Sequence, residues 1–582
     1  DVDVTVSLGG NTSNPLTRRL HPPAFTGDVA LGQQTIIQIP ADFCLQFGPS
    51  ATGGDEYLIG VGAAAESPSA TMAFDIAAIA GGAATSSPFF ATSALPQQRN
   101  RTPGRALLSE LDIARIRQTE AEFRIRNWER EHLDPARNPG LQIAQQRTPG
   151  IMLVPPNVGD MLTFKVPDFD TADACANFNT ITTVVRVVGS AGVFVDDIAN
   201  PTGDSLTLVD IQAASDTFDL MTFAKDTLYF GPPTDLDNNQ RVLVVLTQQV
   251  NQLLGGAIAG FVFSGDLFSV GGCASSDEGE IFYSHVPDAA TGRTRASVLA
   301  QMPSLIAHEF AHVIQFSRRL QAGGSFMALW EMEGQATFAE EVVGHAVLGN
   351  TNGANLDGTV VTQAGAGADW YQFIFTRLAR YYGWDPDNPS VRLADTPELC
   401  TLFGSTSLTT ACAPFWFYGA SWSFMRYLSD RYDASYVGTD AAVPNGEEGL
   451  HRDWIGKDVN LSGVANVENL LGVQIDTLFA RWAATLYADD RVGVTADSVI
   501  SMSSWKLGDV FNTLGADFDI APTDRTFSTF TDASLGVLGG STRYTRLSAA
   551  GARPALAIRV QAPGGGDLGT SMNPQVWVVR TK

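Results

Sequence analysis

One stretch, SLIAHEFAHVIQF at 304–316, constrains the fold more than any other part of this 582-residue chain. Apolar residues recur there at three- and four-residue spacing, which predicts a helix with Ser304 as its N-cap. His308 and His312 are four residues apart, so they project from one face of that helix. Two imidazoles at this spacing can bind one tetrahedral zinc ion. Glu309 lies between them and is placed to take a proton from a metal-activated water.

A second stretch, WEMEGQATFAE at 330–340, also predicts a helix. The segment between the two helices contains Gly323 and Gly324, which allow the chain to turn back. Packing of the two helices would bring a carboxylate to the open side of the histidine pair, and Glu331 and Glu333 are both candidates. Two histidines, one glutamate and an open position define a hydrolytic zinc site.

The pattern HEFAH followed by WEMEGQATFAEE resembles the gluzincin metallopeptidases, such as thermolysin and the zinc aminopeptidases. The flanking stretches GDLFSVGGCASSDEGEIFY and FYGASWSFMRYLSDRYD are similar to the hyicolysin-type family of secreted bacterial neutral metallopeptidases. The resemblance covers roughly residues 150–500. It implies that Glu333 is the third zinc ligand and that Glu340 is a carboxylate that orients a histidine ring.

The resemblance also implies a reaction, the hydrolysis of peptide bonds in a protein or peptide substrate by a zinc-activated water, with Glu309 as general base. The oxyanion formed in that reaction needs a second donor. We expect Tyr418 to supply it, with His345 and His451 as rivals. The G-x-M-E-N signature of exopeptidases does not occur in the sequence, which favours an endopeptidase.

Two alternative functions belong to other classes. The chain could be an extracellular binding or structural protein built on a metallopeptidase scaffold, but such a scaffold has no need of the general base Glu309. A zinc hydrolase that acts on non-peptide substrates is the other alternative, and no residue in the sequence favours it specifically.

Charge and hydropathy limit the partners. The chain has 62 acidic and 37 basic residues, a net charge of −25, which argues against nucleic acid and anionic membranes as partners. No apolar run reaches the 18 residues or more of a membrane span. The sequence begins at Asp1, which is typical of a mature protein after removal of a signal peptide, so we expect a secreted or cell-surface location. The sequence does not indicate an oligomeric state.

The five cysteines lack any C-x-x-C spacing, which makes a cysteine zinc site unexpected. Cys400 and Cys412 flank a short polar segment, and we predict that they form a disulfide bond in an oxidising compartment. A bond that closes so short a loop is worth roughly 3 kcal/mol in the chain-entropy description. The sequence leaves the pairing of Cys44, Cys175 and Cys273 open.

The pattern of elements predicts an α+β protein with several domains, because 582 residues exceed one core. Alternating apolar runs predict an N-terminal β-sandwich over 1–95 and a C-terminal β-sandwich over 501–582. Between them we predict a linker and charged helix over 96–150. A metallopeptidase domain over 151–500 follows, in which a sheet precedes a mostly helical lobe.

The charged helix, predicted over 107–133, is rich in arginine and glutamate at three- and four-residue spacing. We expect a solvated helix laid across an acidic domain. The alternative is part of a propeptide or an inhibitory arm.

A polar run, DLDNN at 235–239, precedes a predicted strand. The oxygens of Asp235, Asp237 and Asn239 alternate as at the start of a calcium loop, which makes Ca²⁺ a candidate ligand. The glycine and distal glutamate of an EF-hand do not follow, so we favour a polar turn.

Overall fold

The structure is a computed structural model. It describes residues 2–5, 17–20, 25–26, 29–37, 43–80, 110–144, 156–362, 366–382, 397–404, 417–443, 445–491, 497–514 and 520–582. Helix accounts for 40% of the chain and strand for 23%, which confirms the predicted α+β class.

The strands, in chain order, mostly coincide with the apolar runs of the sequence. They are β1 (Val2–Thr5), β2 (Thr17–Leu20), β3 (Phe25–Thr26), β4 (Gln34–Ile37), β5 (Phe43–Phe47), β6 (Glu56–Ala63), β7 (Thr71–Ala80), β8 (Met161–Pro167), β9 (Phe178–Val188), β10 (Gly192–Asp197), β11 (Val242–Leu246), β12 (Gly260–Val262), β13 (Ile281–Ser284), β14 (Thr523–Thr526), β15 (Phe530–Leu538), β16 (Ser541–Ser548), β17 (Leu556–Gln561) and β18 (Pro574–Arg580).

The helices lie mainly between the two groups of terminal strands. They are α1 (Glu110–His132), α2 (Leu208–Thr217), α3 (Phe223–Phe230), α4 (Arg295–Gln321), α5 (Leu329–Leu348), α6 (Gly358–Thr362), α7 (Ala366–Tyr381), α8 (Phe417–Tyr432), α9 (Gly446–Gly456), α10 (Val464–Leu471), α11 (Ile475–Ala488) and α12 (Leu507–Leu514). A π-helical turn, Phe218–Thr222, joins α2 to α3. None of the helices in the described part of the chain has the length and apolar character that a membrane span requires.

A mixed six-stranded sheet lies beside α4, the helix that carries His308 and His312. Its strand order is β12-β13-β11-β10-β9-β8. β10, β11 and β13 run parallel, and β12 pairs antiparallel with β13 at one edge. Helix α4 packs on β12 and β13 and against α5, and α5 packs against α8. The edge strand β12 therefore lies next to the histidine helix.

Helix α4 begins earlier than the sequence indicated. Thr294, not Ser304, is the N-cap, and its side chain accepts a hydrogen bond from the Ser297 N–H. Pro303 lies inside the helix. A proline in a helix interior costs about 3 kcal/mol. Burial of apolar side chains on both sides of Pro303, such as Met302 and Leu305, offsets that cost.

The two groups of terminal strands do not form two separate sandwiches, which corrects the prediction. One sheet has the order β14-β16-β6-β18-β4 and the other β15-β7-β17-β5-β3, so each combines strands from both ends of the chain. For example, β18 pairs with both β6 and β4. Buried residues of both groups form one apolar core between the sheets. Alternation identifies strands, but it does not identify their partners.

A disulfide bond joins Cys175 to Cys273, 98 residues apart. It ties the loop before β9 to the segment that precedes β13, and a disulfide is compatible with an extracellular protein. Cys400 is buried and also disulfide-bonded. Cys412 lies outside the described residues, as does the side chain of Cys44, so the Cys400–Cys412 bond stays a prediction.

Candidate metal centre

Helix α4 presents His308, Glu309 and His312 to the interior. None of the three side chains is more than 2% exposed. The four-residue spacing places both imidazoles on the same side of the helix, with ring centroids 5.0 Å apart.

Helix α5 brings Glu333 to the open side of the histidine pair. Its Oε2 atom lies 3.2 Å from Nε2 of His308 and 3.5 Å from Nε2 of His312. The three possible ligand atoms all lie within 4.8 Å of one another. Gly334 follows directly, and a Cβ there would meet Sδ of Met425 and Cβ of Ser421 at 2.9 Å. Glycine at this position therefore lets α5 and α8 approach closely.

Neighbouring acceptors fix the tautomer of both histidines. Nδ1 of His308 lies 2.8 Å from Oε1 of Glu340, and a carboxylate can only accept, so Nδ1 carries the proton. Nδ1 of His312 lies 2.8 Å from Oε1 of Gln315, whose amide nitrogen donates to the carbonyl oxygen of Met332. In the neutral form of each ring, Nε2 therefore has a lone pair, and both Nε2 atoms lie within 3.5 Å of Oε2 of Glu333.

These contacts bring three acceptor atoms together in a buried space. Nε2 of His312 and Oε1 of Glu333 have no hydrogen-bond partner among the described residues. Acceptors so close repel one another unless a cation or a proton lies between them. Burial opposes protonation of His308, but Glu122, Glu333 and Glu340 raise its pKa well above the ordinary value. Burial lowers the pKa of His312 to about 4. The donor set and its unpaired atoms fit a zinc ion.

Glu309 lies beside this cluster, and one of its oxygens lies within 4.8 Å of a ring nitrogen of His308. Its Oε2 atom accepts hydrogen bonds from the Val262 N–H of β12, at 2.9 Å, and from Arg126, at 3.1 Å. Its Oε1 atom has no partner among the described residues. Burial raises the pKa of Glu309 well above the ordinary carboxyl value, although Arg126 opposes that rise. A carboxylate with a raised pKa and a free oxygen is suited to accept a proton.

Tyr418 is fully buried in the first turn of α8, and its hydroxyl has no hydrogen-bond partner in the described part of the chain. Burial raises its pKa, and the nearby carboxylates of Glu333 and Glu122 raise it further. A Cβ at Gly419 would meet the backbone of Arg377 at 2.2 Å. Gly419 thus allows α8 to contact the backbone of α7.

The rival residues make other contacts. Glu331 accepts hydrogen bonds at the start of α5 from Ala328 N–H, from Gly463 N–H and from the side chains of Trp454 and Asn466. His345 contacts the Tyr371 hydroxyl at 2.7 Å, and His451 contacts Ser429 at 2.8 Å. The structure therefore groups Glu333, and not these three, with the histidine pair, and the role of Tyr418 stays a prediction.

Several residues that complete the site were not predicted from the sequence. Helix α1 is not a solvated helix, because Glu122, Arg126 and Glu129 are all buried. This corrects the interpretation that we favoured. Gln315 and Arg377 were also not predicted. Arg377 donates a hydrogen bond to Oε1 of Glu340 at 2.7 Å. The only signal for α1 was the recurrence of polar residues every three or four positions, which a solvated helix shares.

The candidate calcium run forms a turn. Asp235, Asp237 and Glu280 have oxygen atoms within 4.8 Å of one another, so the third carboxylate comes from far along the chain. The side-chain oxygen of Asn239 accepts from the Arg241 N–H at 2.6 Å, and its amide nitrogen donates to Oδ2 of Asp237.

Comparisons with known proteins give no family for this chain. No protein-family model matches it, and no curated protein matches it either. What the chain does must therefore be inferred from its own residues.

Proposed function

We propose that the protein is a zinc-dependent endopeptidase. The observation that supports this most is the convergence of three buried acceptor atoms, from His308, His312 and Glu333, beside a carboxylate that is not among them. Two histidines and one glutamate with an open position are the ligands of a hydrolytic zinc site.

Zinc bound by these three residues would supply Lewis-acid polarisation of a carbonyl group and lower the pKa of a water. Glu309 would accept the proton of the attacking water at its free Oε1 and return it to the leaving amine. The Tyr418 hydroxyl, which lacks a partner among the described residues, would donate to the developing oxyanion. Glu340 and Gln315 would hold the imidazole rings in place through Nδ1.

The alternative of a binding protein on the same scaffold leaves Glu309 unexplained. A buried carboxylate with an unpaired oxygen costs free energy that a scaffold could avoid. Hydrolytic function accounts for this residue, so the structure favours no second candidate.

Zinc content and hydrolysis test the proposal together. The purified full chain is expected to bind about one zinc ion and to cleave casein or a quenched fluorescent peptide, with loss of cleavage on chelation. Glu309→Gln should keep zinc and lose roughly 10²-fold or more of the activity.

Glu131→Gln makes the same chemical change at an exposed position of α1 and serves as the control. Absence of zinc after growth in zinc-supplemented medium would refute the metal site. Near-normal turnover by Glu309→Gln would show that another group is the base.

A further inference from the structure

Helix α1 brings one arginine, Arg126, into the candidate metal centre, where its side chain is fully buried. Three carboxyl groups that lie around it are fully buried too, those of Glu129, Glu309 and Glu333. The guanidinium carbon also lies 5.4 Å from the ring centroid of Phe316 on α4. Charged side chains are rarely buried unless they are paired, and the loss of one partner is then costly. The contacts of Arg126 therefore show which groups its charge serves.

One carboxylate oxygen of the candidate base is held by two donors that are themselves connected. Oε2 of Glu309 accepts from Nη2 of Arg126 at 3.1 Å and from the Val262 N–H at 2.9 Å. Nη1 of Arg126 donates to the carbonyl oxygen of Val262 at 2.8 Å. Arg126, Val262 and Glu309 thus form a closed ring of hydrogen bonds between α1, β12 and α4. Two charge-assisted and directional contacts of this kind fix the orientation of a carboxylate.

A second carboxylate fixes Arg126 in turn. Glu129 lies one turn further along α1, and its Oε2 atom accepts from Nη1 of Arg126 at 2.6 Å. Its Oε1 atom accepts from the Ser264 N–H at 2.7 Å. Glu129 therefore ties the guanidinium group to the segment that follows β12. Because all of these side chains are buried, the network restricts the motion of Arg126.

Arg126 also lies beside the third candidate ligand. Its Nε atom is 3.8 Å from Oε1 of Glu333, whereas Oε2 of Glu333 lies near the two imidazoles. Carboxylates in one buried space repel each other, and a cation close to both offsets that repulsion. The guanidinium group of Arg126 therefore stabilises Glu309 and Glu333 together. A lysine side chain, with one compact ammonium group, cannot make all of these contacts at once.

These contacts leave the two oxygens of Glu309 in different surroundings. Oε2 accepts from Arg126 and Val262, and Oε1 has no hydrogen-bond partner among the described residues. A general base must present a free oxygen within reach of the proton that it accepts. Without Arg126, the carboxylate would lose one of the two donors that fix its orientation, and neither oxygen would be held in a single direction.

We propose that Arg126 is a positioning residue for the base, which holds Oε2 of Glu309 against β12 so that Oε1 alone is presented to the attacking water. This inference rests on the proposed function and adds a residue to its machinery. Helix α1 is then part of the catalytic unit, although it lies far from the two metal-ligand helices in the sequence.

Crystal structures of the full chain test the position of Glu309 without any activity measurement. Arg126→Met replaces the guanidinium group by a neutral side chain. In this variant, Oε2 of Glu309 is expected to move out of hydrogen-bond distance of the Val262 N–H. Arg124→Met makes the same change on α1 at a side chain that is 61% exposed, and it should leave Glu309 in place.

A quenched fluorescent peptide gives the second measurement, a double-mutant cycle between Arg126 and Glu309. Arg126→Met should lower kcat by about 10- to 100-fold with KM little changed, and Arg126→Lys should recover only part of that loss. In the Glu309→Gln background, either change at Arg126 should alter kcat by less than about threefold, because the base that Arg126 positions is already absent. All variants should keep about one zinc ion per chain.

The possible failures are distinguishable. If Glu309 keeps its wild-type position in Arg126→Met, or if Arg126 substitutions cause equal losses with and without Glu309, the positioning role is overturned. If Arg126→Met does not fold, Arg126→Lys completes the cycle, and a wild-type kcat for Arg126→Lys would overturn the role. If Glu309 moves in Arg126→Met but the wild type cleaves no peptide, the peptidase proposal fails and the positioning of Glu309 by Arg126 stands.

Discussion

Glu280 provides a quantitative test of the buried carboxylate cluster. Its side chain is 2% exposed, and it accepts hydrogen bonds from the Thr234 hydroxyl at 2.5 Å and from the Leu236 N–H at 3.1 Å. Burial raises its pKa from 4.5 to about 7, and Asp237 and Asp235 add to the rise. Glu280→Gln keeps an acceptor oxygen at this position and removes the titration.

The sign of the expected effect follows from proton binding. Below pH 4.5 the carboxyl group is protonated in both the folded and the unfolded chain. Between pH 4.5 and about 7 only the unfolded chain loses the proton, so the wild type loses stability as the pH rises. Above that range both states are ionised and the effect is constant. The whole shift corresponds to roughly 3 kcal/mol.

The unfolding free energies of wild type and Glu280→Gln should be compared by pulse proteolysis in urea, with a chelator present. The free energy of unfolding of the variant minus that of the wild type is expected to increase by about 2.5 kcal/mol between pH 5 and pH 8. If this difference changes by less than about 0.5 kcal/mol over that range, the reasoning is refuted.

A parallel series with calcium separates the two interpretations of residues 235–239. A polar turn predicts the same pH trend with and without calcium, which is what we expect. A calcium ion held by Asp235, Asp237 and Glu280 would keep Glu280 ionised and abolish the trend.

Three further changes test the metal centre and its surroundings. If the Tyr418 hydroxyl acts only in the transition state, Tyr418→Phe should lower kcat by roughly 10²-fold with KM little changed. Steady-state kinetics measures both constants, and equal kcat values for variant and wild type would reject that role. Glu340→Ala removes the acceptor for His308 Nδ1 and should weaken zinc binding about 10- to 100-fold in a competition titration with a chelator; unchanged affinity would contradict it. Replacement of both Cys175 and Cys273 by alanine opens a loop of 98 residues and should lower the free energy of unfolding by about 4 to 5 kcal/mol. Urea unfolding measures this change, and a decrease of less than about 1 kcal/mol would count against the bond.

The centre itself was largely predictable because its geometry is local. The spacing of His308 and His312 within one helix fixes their common face, and a short turn brings Glu333 to it. By contrast, Glu122 and Arg126 look like ordinary helix-surface charges. Their burial depends on where α1 packs, and the charge pattern of one helix carries no information about that.

Pairing between distant segments was the other failure. Cys175 and Cys273 lie 98 residues apart, so spacing gave no basis for pairing them and their pairing was left open, while the predicted Cys400–Cys412 bond stays a prediction. The same limit applied to the terminal strands, whose alternation was recognised while their partners were not. The Ser304 cap was misplaced because tertiary burial keeps α4 helical through Pro303.

The mixing of terminal strands in two sheets determines when this protein can finish folding during its synthesis. Strand β6 is flanked by β16 and β18, and β7 by β15 and β17, so all their neighbours are made more than 400 residues later. Until then both edges of β6 and β7 stay unpaired, and exposed edges of this kind promote aggregation. Such distant pairing also slows folding. Premature termination upstream of β15 would leave the early strands without partners, and dependence on a chaperone is the expected consequence for the nascent chain.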